Sequence, residues 1–119
     1  MIDAYGNSGF RFRDMSHKGS LLILPSGMYS WPPREASALS TADFEAVWQE
    51  APEIGFLLLG TGDVQTWPDR ASERTFVDHD VALEVMQTGA AVRTYTILIG
   101  EQRPVAAALI AVDSHRPGP

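Results

Sequence analysis

The sequence predicts a single compact α+β domain, and three observations carry that reading. Apolar runs of strand length, at residues 20–24, 54–59, 81–86 and 103–112, are set apart by turn residues. Between two of these runs Phe44, Val47, Trp48 and Ala51 recur at the i, i+3, i+4, i+7 spacing of a half-buried helix. The chain has 119 residues, 45% of them hydrophobic, which is one domain's length with enough apolar surface for one core. The domain is placed at residues 1–113, and residues 114–119 read as a disordered tail by composition.

The elements follow in order. The first eight residues read as loose, and Tyr5-Gly6-Asn7-Ser8-Gly9 is turn chemistry. Phe10-Arg11-Phe12-Arg13 alternates strictly, so both rings fall on one face of a strand. Ser20-Leu21-Leu22-Ile23-Leu24 is a buried strand, stopped by Pro25-Ser26-Gly27, and residues 28–31 return beside it. The first thirty residues therefore read as one small antiparallel sheet. Ser40 is the expected N-cap of a helix with Asp43 as its acidic N3 residue, running to about Ala51 and closed by Pro52. Residues 54–59 suit a central strand covered on both faces. A short strand or extended piece at residues 64–67, a surface helix at 69–77 and a buried strand at 81–86 follow. Residues 90–100 are ambiguous. Thr94, Thr96, Ile97 and Ile99 favour a strand by propensity, while Ala91, Val92, Tyr95, Leu98 and Ile99 also make a helical apolar face. Residues 103–112 form a small-residue-rich apolar strand, with Pro104 near its start.

Composition narrows the function classes. The net charge is −6, and residues 40–80 alone hold nine acids against two bases. An acidic surface repels phosphate backbones, so no nucleic-acid partner is expected. No uncharged run approaches the ~20 residues of a membrane span, and no signal or transit segment is visible at the start. The chain has no cysteine, which excludes disulfides, thiolate metal sites and a cysteine nucleophile. Its simplest placement is the bacterial cytoplasm.

Residues 86–95 (MQTGAAVRTY) and 101–109 (EQRPVAAAL) carry a resemblance, joined by IDAYG at 2–6, GSLLILP at 19–25, Trp31, and LGTG at 59–62. In these motifs and their order the chain resembles the small α+β family that includes the mitochondrial complex I assembly factor 3 and the adipogenesis-associated domain proteins. The resemblance covers nearly the whole chain. It implies antiparallel β units with a β-hammerhead-like element packed with two main helices, and a helix rather than a strand at residues 89–100. No enzymatic activity is securely attached to the family, and its mitochondrial member is linked to complex I assembly through protein contacts. Thr96 stands where the family usually has Asn, which removes an amide available to a ligand. Gln102 stands where it usually has Gly, the residue best suited to a left-handed turn.

Few residues are candidates for chemistry. His17, His79 and His115 show no metal-ligand spacing, and there is no nucleophile elbow, so no catalytic residue, metal or cofactor is expected. Gly60-Thr61-Gly62 follows a buried strand, where a ligand loop or a plain turn would sit. Arg93, Tyr95, Glu101 and Arg103 are polar or charged groups in an otherwise apolar stretch. Either an arginine pairs with Glu101 to tie the helix end to the last strand, or an arginine opens to an anionic ligand. Thr88 is a candidate helix cap. Trp31 and Trp67, each beside proline, are candidate partner anchors. The expected function is a non-catalytic binding or assembly module with protein partners, in a respiratory or other membrane complex. The alternative is an anion- or small-molecule-binding domain built on Gly60, Thr61, Gly62, Thr88, Arg93, Tyr95, Glu101 and Arg103, and a homodimer through a sheet edge is a third arrangement.

Overall fold

A computed structural model describes residues 2–12 and 15–113. The tail expected at 114–119, and Arg13 in the alternating stretch, lie outside the described residues.

β1 (Ile2–Gly6), β2 (Gly9–Phe12) and β3 (Ser16–Lys18) form an antiparallel sheet in that order. Asn7 and Ser8, at φ 50° and 62°, make the left-handed two-residue turn between β1 and β2. The residues expected to be loose at the start are therefore a strand. The reason is burial, since Ile2 joins Phe10 and Phe12 in one apolar cluster that β1 must pair with β2 to complete.

The single N-terminal sheet expected from the sequence is instead divided between two sheets. Gly19, at φ 86°, turns the chain out of the small sheet, with its N–H bonded to the Ser8 carbonyl at 2.7 Å. β4 (Ser20–Leu24) and β5 (Gly27–Trp31) then join β6 (Phe56–Gly60), β7 (Ala82–Met86) and β8 (Val105–Leu109) in a sheet ordered β5-β4-β8-β6-β7. β4 is antiparallel to β5 and β8, whereas β6 is parallel to both β7 and β8. The α+β class stands, and the larger sheet is mixed. Its parallel half arises because each crossover, from β6 to β7 and from β7 to β8, carries a helix.

Alternation along the central strands builds two cores. Leu57 and Leu59 face α1 (Glu45–Gln49) and α2 (Arg70–Asp78), and pack with Phe44, Val47 and Phe76. Leu58 faces the other way, toward α3 (Thr88–Gly100), and packs with Tyr95, Ala107 and the small sheet's Phe10. Ala106, Ala107 and Ala108 of β8 are fully buried, and their small side chains let both layers approach the sheet closely.

Four expectations need correction. The helix expected from Ser40 to Ala51 is α1 flanked by 3-10 turns at Thr41–Phe44 and Ala51–Glu53. The Asp43 carboxylate does accept from the Ser40 N–H at 2.9 Å, and Pro52 supplies no N–H to continue the helix. Residues 64–67 are loop rather than strand. They fold around the Thr61 hydroxyl, which donates to the Val64 carbonyl at 2.7 Å and accepts from the Thr66 N–H at 3.0 Å. β7 was expected to be buried but lies at the sheet edge, with Ala82 and Glu84 exposed. The last strand is shorter than residues 103–112, because only Val105–Leu109 pair with β6, and of these only Ala107, Ala108 and Leu109 also pair with β4.

Residues 88–100 are helical, against their strand propensity. The helix ends in a full Schellman arrangement. The Arg103 N–H bonds the Leu98 carbonyl at 3.1 Å and the Gln102 N–H bonds that of Ile99 at 3.1 Å. Gln102 takes φ 59°, so the left-handed turn is kept without its glycine. A side chain there costs about 1 kcal/mol relative to glycine.

Candidate functional site

Three segments meet where α3 begins. Gly60 ends β6, and a Cβ placed on it would lie 3.0 Å from the Thr88 Cα and from Leu109 Cδ2. Gly62 turns the chain at φ 95°. Thr88, fully buried, binds the three together. Its hydroxyl accepts from the Gly62 N–H at 2.8 Å and donates to the Ile110 carbonyl at 2.7 Å, while its own N–H reaches the Gly62 carbonyl at 2.9 Å. Thr88 is thus not the helix cap expected from its position. Gln87 is the N-cap residue and makes no side-chain cap bond, while the Thr88 hydroxyl is turned to the glycine loop and to Ile110, just beyond β8.

Beside this junction lies a crevice of about 270 Å³ lined by Tyr5, Gly62, Gln87, Gly89 and Arg93 among others. Gly89 is required there by a close approach, since a Cβ on it would run into the Tyr5 phenol. Arg93 is exposed. The crevice stands at the carboxyl ends of β6 and β7, adjacent parallel strands whose following helices, α2 and α3, cover opposite faces of the sheet.

The remaining candidates fall elsewhere. Tyr95 is buried in the core on the far side of α3, and burial pushes its phenol above its ordinary pKa, so it stays protonated at neutral pH. Glu101 is exposed at the opposite end of α3, about 12 Å along the helix from Arg93 at 1.5 Å per residue. Arg103 rests its guanidinium over the Phe56 ring, 5.9 Å from the centroid, in a separate cleft with Leu98 and Glu84. Among the described residues neither arginine pairs with Glu101. The eight candidates therefore divide. Gly62 and Arg93 line the crevice, with Gly60, Thr61 and Thr88 buried behind it; Tyr95 lies in the core, and Glu101 and Arg103 mark the other end of α3.

Trp31 does not present a surface. It is buried, its indole N–H donates to the Asp43 carbonyl at 2.9 Å, and its ring packs 5.8 Å from that of Phe44. Trp67 is 61% exposed on the loop after β6. Sequence reasoning passed over a second cleft of about 280 Å³ between β1 and α3, whose walls are mostly apolar. The exposed Ile97 on an otherwise helix-packed segment was the signal for it. His79, in the Asp78-His79-Asp80 stretch, stacks on Trp48 at 4.2 Å. Among the described residues no group of three or more His, Asp or Glu side chains could hold a metal ion, and no helix is long and apolar enough to cross a membrane.

A family model described as "Protein of unknown function (DUF498/DUF598)" matches residues 2–110. The chain belongs to this family. Within it, the chain is 28% identical over 109 residues to the bovine "NADH dehydrogenase [ubiquinone] 1 alpha subcomplex assembly factor 3". That match covers 92% of this chain and 59% of the relative, so the chain spans less than two-thirds of the curated assembly factors it resembles. An uncharacterized protein of Rhodobacter capsulatus is 32% identical over 110 residues, covering 92% of this chain and 82% of its own. Among solved structures, one from Bartonella henselae, described as an outer membrane protein, superposes with a TM-score of 0.90 at 41% identity and covers 94% of each chain. The resemblance read from residues 86–109 is thereby borne out across the domain.

Proposed function

We propose that the chain is a non-catalytic assembly module that works through protein contacts during the building of a respiratory membrane complex, from the cytoplasmic side. One observation supports this above others: 92% of the chain aligns with family members named as assembly factors of NADH dehydrogenase. The domain they share is therefore the part that would carry the contacts. Exposed apolar side chains at Trp67 and Val64 are available for them. The test is affinity capture from host membranes solubilised in mild detergent. Subunits of NADH dehydrogenase should be enriched over a control capture with an unrelated acidic domain of similar size, and equal recovery in both captures would overturn the reading.

A second reading rests on the crevice beside Thr88. In open sheets with parallel strands, ligands favour the crevice at strand carboxyl ends where successive helices leave on opposite faces. The crevice has that position, with Gly62, Gly89 and Arg93 at its wall and the acidic Asp63 beside them. The class of ligand would be a small anion, taken by the arginine side chain. Thermal unfolding with a panel of anionic metabolites should show a rise for the wild-type chain that Arg93→Ala abolishes. Absence of any shift across the panel would remove this reading.

A further inference from the structure

α3 is a surface helix with the composition of a buried one. Its thirteen residues, TGAAVRTYTILIG, hold a single charge, Arg93. A helix apolar on all sides is ordinarily covered on all sides. Here one side packs on the sheet through Ala91, Val92 and Tyr95, while Ile97 points away and is 62% exposed. Alongside it runs the cleft of about 280 Å³ whose other wall is β1, with Ile2, Ala4 and Tyr5. On the α3 wall Thr96 spends its hydroxyl on the Val92 carbonyl at 2.9 Å, so it offers the cleft no free donor. The strip is therefore apolar in effect, and it extends beyond the cleft onto the exposed Ile97.

The charges at the rim of this strip are Asp3 on β1 and Arg93 on α3. Both are exposed, and among the described residues neither is in an ion pair. The strip thus carries one charge of each sign, on opposite walls. A two-fold axis running along the cleft sets each wall against the other wall of the partner, so unlike charges meet and apolar surface meets apolar surface. A face with one sign only would repel its own copy.

We propose that the β1–α3 face is an isologous dimer interface, occupied by a second copy of this chain, with Asp3 of each copy facing Arg93 of the other. The pairing runs through a helix–strand face rather than through the open edge of either sheet. It stands independently of the assembly role, which a monomer could equally perform.

Charge exchange tests it. Sedimentation equilibrium of the wild-type chain at micromolar concentrations should show a monomer–dimer equilibrium. Asp3→Arg and Arg93→Asp should each raise the dissociation constant by about tenfold or more, since each sets like charges face to face, and the double variant should return it to within about threefold of wild type. Ile97→Asp should also shift the equilibrium to monomer. All three substituted positions are exposed, and thermal unfolding of each variant checks that the fold persists. A wild-type chain monomeric at all these concentrations would overturn the proposal. So would a dimer indifferent to the single reversals, or a double variant no better than the singles.

Discussion

Thr88→Val should lower the stability of the domain by about 3 kcal/mol, because it leaves two buried backbone groups without partners at about 1–3 kcal/mol each. Valine keeps the shape of threonine almost unchanged, so the substitution isolates the hydroxyl. That hydroxyl accepts from the Gly62 N–H and donates to the Ile110 carbonyl, and Thr88 has no exposed surface through which water could replace it. In urea, the unfolding midpoint should fall by about 1.5 M with little change in slope, for a slope near 2 kcal/mol per M. A midpoint within a few tenths molar of wild type would show that the junction of the glycine loop, α3 and β8 does not depend on this side chain. Thr88→Ser retains the hydroxyl and should recover most of the loss, which separates the hydrogen bonds from the packing of the methyl group.

Phe76→Ala should be at least as damaging, at about 3–5 kcal/mol. Phe76 is the main buried anchor of α2, which crosses over from β6 to β7. Its ring meets Phe44 edge-on at 5.0 Å and Trp48 at 4.7 Å, so the truncation opens a cavity between α1, α2 and the sheet. Chemical denaturation gives the magnitude. Hydrogen exchange should show the α2 amides losing protection before those of β4 and β8, because α2 holds few other buried contacts. Val77→Ala, one residue on but 76% exposed, should stay within about 0.5 kcal/mol of wild type and serves as the control.

The two variants bear on different levels of legibility in the sequence. The layer that Phe76 anchors was readable. Period-3.6 spacing at Phe44, Val47 and Trp48 and the continuous apolar runs of β4 and β6 report burial directly: Phe44, Val47 and both strands are buried, with only Trp48 and Phe56 partly exposed. The N-terminal strand was not readable, because β1 is short, runs into the turn residues Tyr5-Gly6-Asn7, and owes its existence to pairing with β2 over the Phe10 and Phe12 rings. The edge position of β7 was hidden as well, since strand order is a long-range property that local composition does not carry. For α3 the sequence offered two periodicities at once. Its β-branched residues argued for a strand, and the resemblance to a family, together with tertiary burial of Ala91, Val92 and Tyr95, decides for the helix.

The site divides in the same way. Gly60, Gly62, Thr88 and Arg93 converge because the strand end and the helix start were each marked by local residues. Arg103 and Glu101 sit close to them in sequence but lie across the length of a helix, and only the helical rise separates them. The role of Thr88 shows the limit most clearly. Its residue type and position suggested a cap, whereas its partners are 26 residues before it and 22 after it. Trp31 likewise looked like an anchor beside proline and is a core ring, since its neighbour Phe44 arrives from a distant turn.

The proposed role of this domain is in the assembly of a respiratory complex. The direct measurement is the amount of fully assembled NADH dehydrogenase in membranes of host cells that lack the chain, read on native gels. The predicted result is a clear fall in the assembled enzyme with accumulation of partial complexes, restored when the wild-type chain is supplied again. Assembled enzyme at the normal level without the chain would contradict the account.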